Sequence, residues 1–530
     1  ADDPAIAKRL ADETAMYVVF VSRDVEQITA ARRSWIADGK YGPRLTARLL
    51  DDSIPTHSVN LVVAPEDSDV AKWKPLLQPG GKLMQGDEVI AVGESFDGAS
   101  TWTHMYGRPD NSAYAGENLS DAESYDDLTL LWLGRPGPRY QSDRGNRKPA
   151  PLAAGGRLYM QGLNRLIAVN AYSGIVIWSL ELPELQRFNI PRDTCNWCAE
   201  DEYLWISMGD RIWKLDGATG KMLEWRSVDR PEGATDEVTW GFLARVEDQL
   251  FGSAVAEGGH YKDWWGGASW YDAKDGNLTH KVCSMNLVAY EADSGKVQWQ
   301  HERGGAIMNP TVTIVDDLVV FAENPNLYAK KKSRFDDSIF SQLRLVALDR
   351  KTGKVRWEKP VEQRDGTVAC YVAATSEGII YQTSKGGEFD VSLRDPKTGD
   401  VKWSKIYKWE VDHHGKHLSR PAIVNGRIVI RPHVIDIKTG ETLDHKFPKG
   451  HQCGTYVCSD KALFLRAGDL TMWNLENNDS SKLKRVRPDC WISTIPALGM
   501  LLSPEGGGGC SCGSWLETSM GFIPNVHAAR

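Results

Sequence analysis

Basic residues are in deficit in this chain: 63 Lys and Arg stand against 71 Asp and Glu, a net charge of −8. That balance argues against a nucleic-acid binder, whose affinity would need a basic face. No apolar run approaches the roughly 18–20 residues of a membrane span, so no spanning helix is expected. Cysteine is sparse and odd in number, nine in all, which leaves at least one thiol for a free or metal-bound role. No two cysteines are adjacent, and neither Cys195-Asn-Trp-Cys198 nor Cys510-Ser-Cys512 is followed by His, so covalent haem is not indicated. The chain opens Ala1-Asp-Asp-Pro without Met and without a charged-then-apolar leader. That start suits a mature exported protein, or a chain trimmed at its front, and a periplasmic or secreted location is the expectation.

What the chain has instead is a phrase that returns. Arg165-Leu-Ile-Ala-Val-Asn-Ala-Tyr-Ser-Gly-Ile-Val-Ile-Trp178 is followed by copies at 211–225, 286–299, 344–357 and 389–403, and by a truncated one at 434–443. Each reads as strand, tight turn, strand. The Asp or Asn before the turn can bond its own backbone, and the Gly supplies positive φ. The closing Trp offers a flat surface on which the next unit can stack. An all-β repeat of this length, punctuated by turn residues, means a propeller or an array.

The first hundred residues follow another rule. Pro4 to Thr14 and Glu26 to Trp35 have helical spacing, while Tyr17–Val21 and Val59–Val63 read as strands, an α/β alternation. Arg23-Asp24 after a strand, Tyr41-Gly42, Asn60-Leu-Val-Val63 and Leu76-Leu-Gln-Pro-Gly-Gly-Lys-Leu83 together resemble the second half of a Rossmann-like S-adenosylmethionine methyltransferase. The resemblance implies Asp24 at the ribose position. The family's glycine-rich loop is absent from residues 1–20, so the cofactor has no cradle. Residues 1–98 are therefore expected to be a degenerate α/β domain that does not bind S-adenosylmethionine.

From Trp102-Thr-His-Met-Tyr-Gly107 through Leu130-Leu-Trp-Leu-Gly134 and the repeats, the chain resembles bacterial exported proteins that join such a segment to a quinoprotein-like propeller. The expected fold is mainly β: a small Rossmann-like domain, then an eight-bladed quinoprotein-like β-propeller over 99–530. Six blades come from the phrases, one from the stretch around Leu470–Leu475, and one from Ile495 to Pro524. The resemblance implies that an N-terminal strand, Leu128–Leu133, completes the last blade. Quinoprotein dehydrogenases hold pyrroloquinoline quinone between a Trp face and a vicinal Cys–Cys disulfide, and the missing Cys pair disfavours that cofactor here.

Several clusters are candidates for chemistry. Between Trp225 and Trp299 the wide spacing carries Trp240, His260 and Trp264-Trp265-Gly-Gly-Ala-Ser-Trp270. His260, Trp264, Trp265 and Trp270 are expected either to bind a flat or sugar-like ligand or to cap the ring. Six of the twelve His fall between 412 and 453. Of these, His414, His417, His433 and His451 are proposed ligands of a divalent metal, and His413, His414, His417, Arg466 and Glu505 are candidate catalytic groups. Cys195, Cys198, Cys453, Cys490, Cys510 and Cys512 are disulfide or thiolate candidates. Asn309, Glu323 and Asn324 are further polar groups near strand ends.

The functional expectation is an exported enzyme acting on a small polar or carbohydrate-derived substrate at the channel face, by metal-assisted oxidation or elimination. The alternative is a non-catalytic scaffold: the repeat phrase also resembles that of outer-membrane assembly lipoproteins, which bind protein partners.

Overall fold

The computed structural model describes residues 3–528 except 43, 51–53, 135–148, 163–164, 184, 186–194, 233, 235–236, 257–282, 303–304, 326–339, 363, 368, 410–418, 451–454, 487–491 and 505–517. The chain forms two compact units, Ala1–Phe96 with Asn525–Arg530, and Asp97–Pro524.

In the first unit, helices Pro4–Glu13 and Val25–Ala37 accompany the parallel strands Val18–Ser22 and Leu45–Leu49. Phe20, Ile28, Ala31, Trp35, Leu45 and Ala47 form its core. A second small sheet pairs Val59–Ala64 in parallel with Leu77–Gln85, and the latter in antiparallel with Glu88–Val92. The Pro-Gly-Gly phrase lies inside this second strand, where a Cβ on Gly81 would meet the Val59 carbonyl at 2.8 Å. Asp24 is the N-cap of its helix and accepts from Glu26 N at 2.8 Å. Its carboxylate is thus occupied by a local structural role.

Among the described residues the second unit contains eight sheets that follow one another along the chain. Their first strands include Leu152–Ala154, Trp197–Ala199, Val238–Val246, Ala306–Met308, Ala369–Thr375, Ala422–Val424, Val457–Cys458 and Ile495–Ala497. The last sheet is completed by Leu128–Gly134, which pairs with Ser519–Pro524, as expected, so the two ends of the unit are joined and an open edge is removed. The sheet begun by Ala422–Val424 has three strands, matching the truncated phrase.

The repeat phrase explains how neighbouring sheets are held. Trp178 Nε1 donates to Gly217 O at 2.9 Å, Trp299 Nε1 to Arg350 O at 2.8 Å, Trp357 Nε1 to Pro396 O at 2.8 Å, and Trp403 Nε1 to Ile437 O at 2.8 Å. In each case the acceptor follows the turn Asp of the next sheet. The indole lies over that turn's glycine: Cβ atoms on Gly220, Gly353, Gly399 and Gly440 would fall 2.5–2.8 Å from ring atoms. Trp132, on the strand that completes the last sheet, docks on the first in the same way, donating to Ala171 O at 2.8 Å. Thus Gly and Trp belong to one joint that spans two sheets. Gly399→Ala should destabilise by more than about 2 kcal/mol in denaturant titration, because its φ of +75° disfavours a side chain and its Cβ would strike Trp357. Gly209→Ala, at φ +58° with nothing within 4 Å, should cost only about 1 kcal/mol.

One aromatic expectation is corrected. Trp225 does not stack: it is 53% exposed, against 8% for Trp178 and Trp299. The docking Trp stands four residues after the turn glycine, as in Gly174 to Trp178, but Trp225 stands five after Gly220. With side chains alternating across a strand, one extra residue turns the ring to the other face. Arg226 lies over Gly295 instead. Trp240 is part of the core strand Val238–Val246 and fully buried.

Candidate functional site: one end of the propeller channel

An axial segment closes one end of the channel. Residues 100–113 meet the first-strand side of all eight sheets in cyclic order. Ser100 O accepts from Leu498 N of the last sheet at 2.6 Å, and Trp102 pairs with Ala153 of the first. Thr103 O accepts from Ala199 N of the second sheet at 3.0 Å, and His104 Nε2 from Arg245 N of the third at 3.3 Å. Pro109 O, Asp110 O, Ser112 O and Ala113 O then take Ile314 N, Ala374 N, Ile423 N and Cys458 N of the fourth to seventh sheets, at 2.8–2.9 Å. These carbonyls satisfy amides that would otherwise be buried without partners. Burial pushes the His104 pKa down to about 3, so the ring is neutral and Nε2 is free to accept. Left-handed backbone at Asn111 (φ 59°) and Ala113 (φ 58°) is the strain that this circular path requires.

The contacts fall toward the ends at which the first strands leave the axis. The opposite mouth is formed by the starts of those strands and by the ends of the second strands paired with them. Buried polar side chains collect there. Asn196 takes Ser207 N on its carbonyl at 2.8 Å and donates to Gln161 Oε1 at 3.2 Å. Ser284 donates to Asn309 Oδ1 at 2.6 Å beside Ser253, and Thr494 meets Ser503 at 2.9 Å. Asn196 Oδ1, Gln382 Oε1, Thr455 Oγ1 and Ser493 Oγ are sealed from solvent and have no hydrogen-bond partner among the described residues.

Three buried arginines belong to the same end. The register of Ala422 with Val429, extended by two residues, sets Arg420 opposite Arg431; that of Val457 with Phe464 sets Thr455 opposite Arg466. Arg420 is 2% exposed, and its guanidinium stands 4.1 Å from the Tyr106 ring of the axial segment and 4.7 Å from the Tyr371 ring. Arg431 packs over Phe447 at 5.2 Å, and its N–H donates to Tyr456 OH at 2.9 Å. Glu323 belongs to a different set: Arg344 at 3.2 Å and His301 at 3.5 Å outweigh burial and hold its pKa below the usual value.

Of the residues singled out in the sequence, Arg466 is buried in this group. His433 Nε2 donates to Lys408 O at 2.6 Å and the ring packs on Tyr407, so that nitrogen is engaged by backbone. His445, from the same histidine-rich window, donates Nε2 to Leu475 O at 2.9 Å. That carbonyl follows the turn Asn474, so His445 replaces the docking Trp in the truncated repeat. Cys195 and Cys198 are free thiols, not a disulfide. Burial pushes Cys195 up to about 11 and Cys198 higher, which makes both poor thiolates. His260, Trp264, Trp265, Trp270, His413, His414, His417, His451, Cys453, Cys490, Glu505, Cys510 and Cys512 lie outside the described residues. Sequence reading passed over Arg420, Arg431 and the axial segment. A signal existed for one of them: Arg431 ends an apolar strand, as Arg466 does, where a charge is unusual.

Comparison with known proteins decides the fold. The quinohemoprotein alcohol dehydrogenase from Comamonas testosteroni superposes over 80% of this chain and 80% of its own, with TM-score 0.50 and 12% identity. This chain carries a quinoprotein-like β-propeller. A family model described as outer membrane protein assembly factor BamB matches residues 272–405 of the propeller. BamB from Moraxella catarrhalis aligns over 66% of this chain and 84% of its own at 13% identity and TM-score 0.38. No curated protein matches the chain. The quinone clamp of the dehydrogenases does not fit this propeller: no two cysteines are adjacent, and Cys195, Cys198, Cys283, Cys370 and Cys458 are all free. Among the described residues no three His, Cys, Asp or Glu side chains converge as metal ligands, and no helix is long and apolar enough to cross a membrane.

Proposed function

We propose that this propeller is an exported enzyme that takes a small polar or carbohydrate-derived substrate at its channel face. The carrying observation is a set of buried polar atoms without partners among the described residues, Asn196 Oδ1, Gln382 Oε1, Thr455 Oγ1 and Ser493 Oγ, beside the starts of the first strands and on the second strands paired with them. Buried polar atoms are costly unless bonded, and a hydroxylated ligand would supply the bonds. The reaction proposed is a metal-assisted oxidation or elimination, with His414, His417 and His451 as metal ligands, His413 and Glu505 as proton-transfer groups, and Trp264, Trp265 and Trp270 as the sugar platform. His433 is left out of the ligand set because Lys408 O engages it. Eight blades and a methyltransferase-derived front unit complete the proposal.

The test is elemental analysis of protein purified without chelator. About one equivalent of a transition metal is expected, lost in the His414→Ala/His417→Ala double variant with the fold retained. Metal kept by the double variant would overturn the ligand assignment. A metal-free wild-type protein would favour the scaffold reading, which the BamB family model over 272–405 supports.

A further inference from the structure

We infer that the end of the propeller at which the first strands start holds an oxyanion site centred on Arg420, so that its ligand carries a carboxylate or phosphate group. This deepens the proposed function and rests on the same ligand pocket. Arg420 is 2% exposed, and its Nε is wholly shut off from solvent with no hydrogen-bond partner among the described residues. Its recorded neighbours are the faces of Tyr106 and Tyr371. Two ring faces hold the planar group in position and take part of its charge, but they accept none of its five N–H donors. A buried cation left in that condition is strongly unfavourable for folding alone, and such a cost is retained where a ligand relieves it.

The surroundings set the sign of that ligand's charge. Two further buried arginines lie on these sheets, Arg431 directly after the strand paired with Ala422–Val424 and Arg466 near the end of the equivalent strand of the next sheet. Thr455 Oγ1 and Gln382 Oε1 lie on the flanking strands, and both are buried without partners. Gln382 is itself fixed by its Nε2 bond to Ser419 O at 2.7 Å, next to Arg420 in the chain. A guanidinium fork matches carboxylate and phosphate oxygens by paired N–H bonds. On one side the axial segment packs against it through the Tyr106 ring.

The test is calorimetric titration of the full-length protein with D-glucuronate, glucose 6-phosphate, glucose and inorganic phosphate at constant ionic strength. Glucuronate or glucose 6-phosphate should bind at least tenfold more tightly than glucose, and the better of the two identifies the oxyanion. In Arg420→Met that preference should vanish while the melting temperature without ligand stays level or rises, since a buried charge has been removed. Arg420→Lys keeps the charge but not the fork and should weaken anion binding at least tenfold. Glucose binding as tightly as glucuronate would overturn the anion inference and leave the proposed pocket standing. Inorganic phosphate bound in an Arg420-dependent way, with no sugar bound, would support the anion site and remove the carbohydrate reading. A sharp loss of melting temperature in Arg420→Met, or an unchanged anion affinity in Arg420→Lys, would show that Arg420 is structural and overturn the inference.

Discussion

Trp299→Ala should lower the free energy of unfolding by about 3–5 kcal/mol, whereas Trp225→Ala should lower it by less than about 1 kcal/mol. Both residues close a copy of the same phrase, so sequence alone assigns them the same role. Trp299 is packed among Phe251, Leu287 and Val346 in one core cluster, lies over Gly353, and donates to Arg350 O. Its removal deletes a large buried ring and leaves that carbonyl with only the longer bond from Gln249 Nε2 at 3.2 Å. Arg350 also holds Gln249 and Glu247 across the same joint, so the loss should propagate to the neighbouring sheet. Trp225 is mostly in solvent, with the Arg211 guanidinium 5.1 Å from its ring, a contact worth about 0.5–1 kcal/mol when exposed. Equilibrium denaturation by urea, followed by circular dichroism, measures both. Equal losses for the two variants would refute the docking-joint account.

The same contrast shows what was legible in the sequence. The phrase determined strand, turn and strand in the five full copies, and strand and turn in the truncated one, because its signals are local: Asp216, Asp349 and Asp436 accept from Thr219, Thr352 and Thr439 within a few residues. Docking by Trp was legible once the offset from glycine was counted, and the one-residue excess before Trp225 was visible in the letters. The replacement of Trp by His445 was not, since an imidazole in a histidine-rich window reads as a ligand until its carbonyl partner is known. The axial segment was hidden for a different reason. Seven of its eight sheet contacts are made by backbone groups, and one by the His104 ring, so no periodic pattern of side chains announces it. Arg420 was hidden because its significance lies in what surrounds it, two tyrosines brought from 314 and 49 positions away in the chain (Tyr106 and Tyr371).

Glu117→Ala should release the axial segment and lower the unfolding free energy by about 3–9 kcal/mol, as two buried amides and one half-buried amide lose their acceptor at roughly 1–3 kcal/mol each. Glu117 is fully buried. Its Oε2 accepts from Ser100 N at 2.8 Å and Gly499 N at 3.0 Å, its Oε1 from Leu119 N at 3.0 Å, and its carbonyl from Asp460 N at 2.9 Å. One side chain therefore ties the start of the axial segment to its end and to the last sheet. Burial pushes its pKa up to about 7, against the downward pull of the three N–H donors. The folded protein thus binds this proton more tightly than the unfolded chain, whose carboxyl titrates at the ordinary value of 4.5. The stability that Glu117 adds through this linkage is present in full below pH 4.5 and is lost as pH rises through about 7. Asp110, pushed by burial up to about 6, adds a slope of the same sign, so the difference between wild type and Glu117→Ala isolates the Glu117 part. Urea midpoints at several values between pH 4 and 8 should fall with pH more steeply in the wild type than in the variant. Limited proteolysis should cut the variant first between Asp97 and Asp127. Parallel pH profiles, with the segment still protected, would show that its eight contacts with the sheets hold it without Glu117.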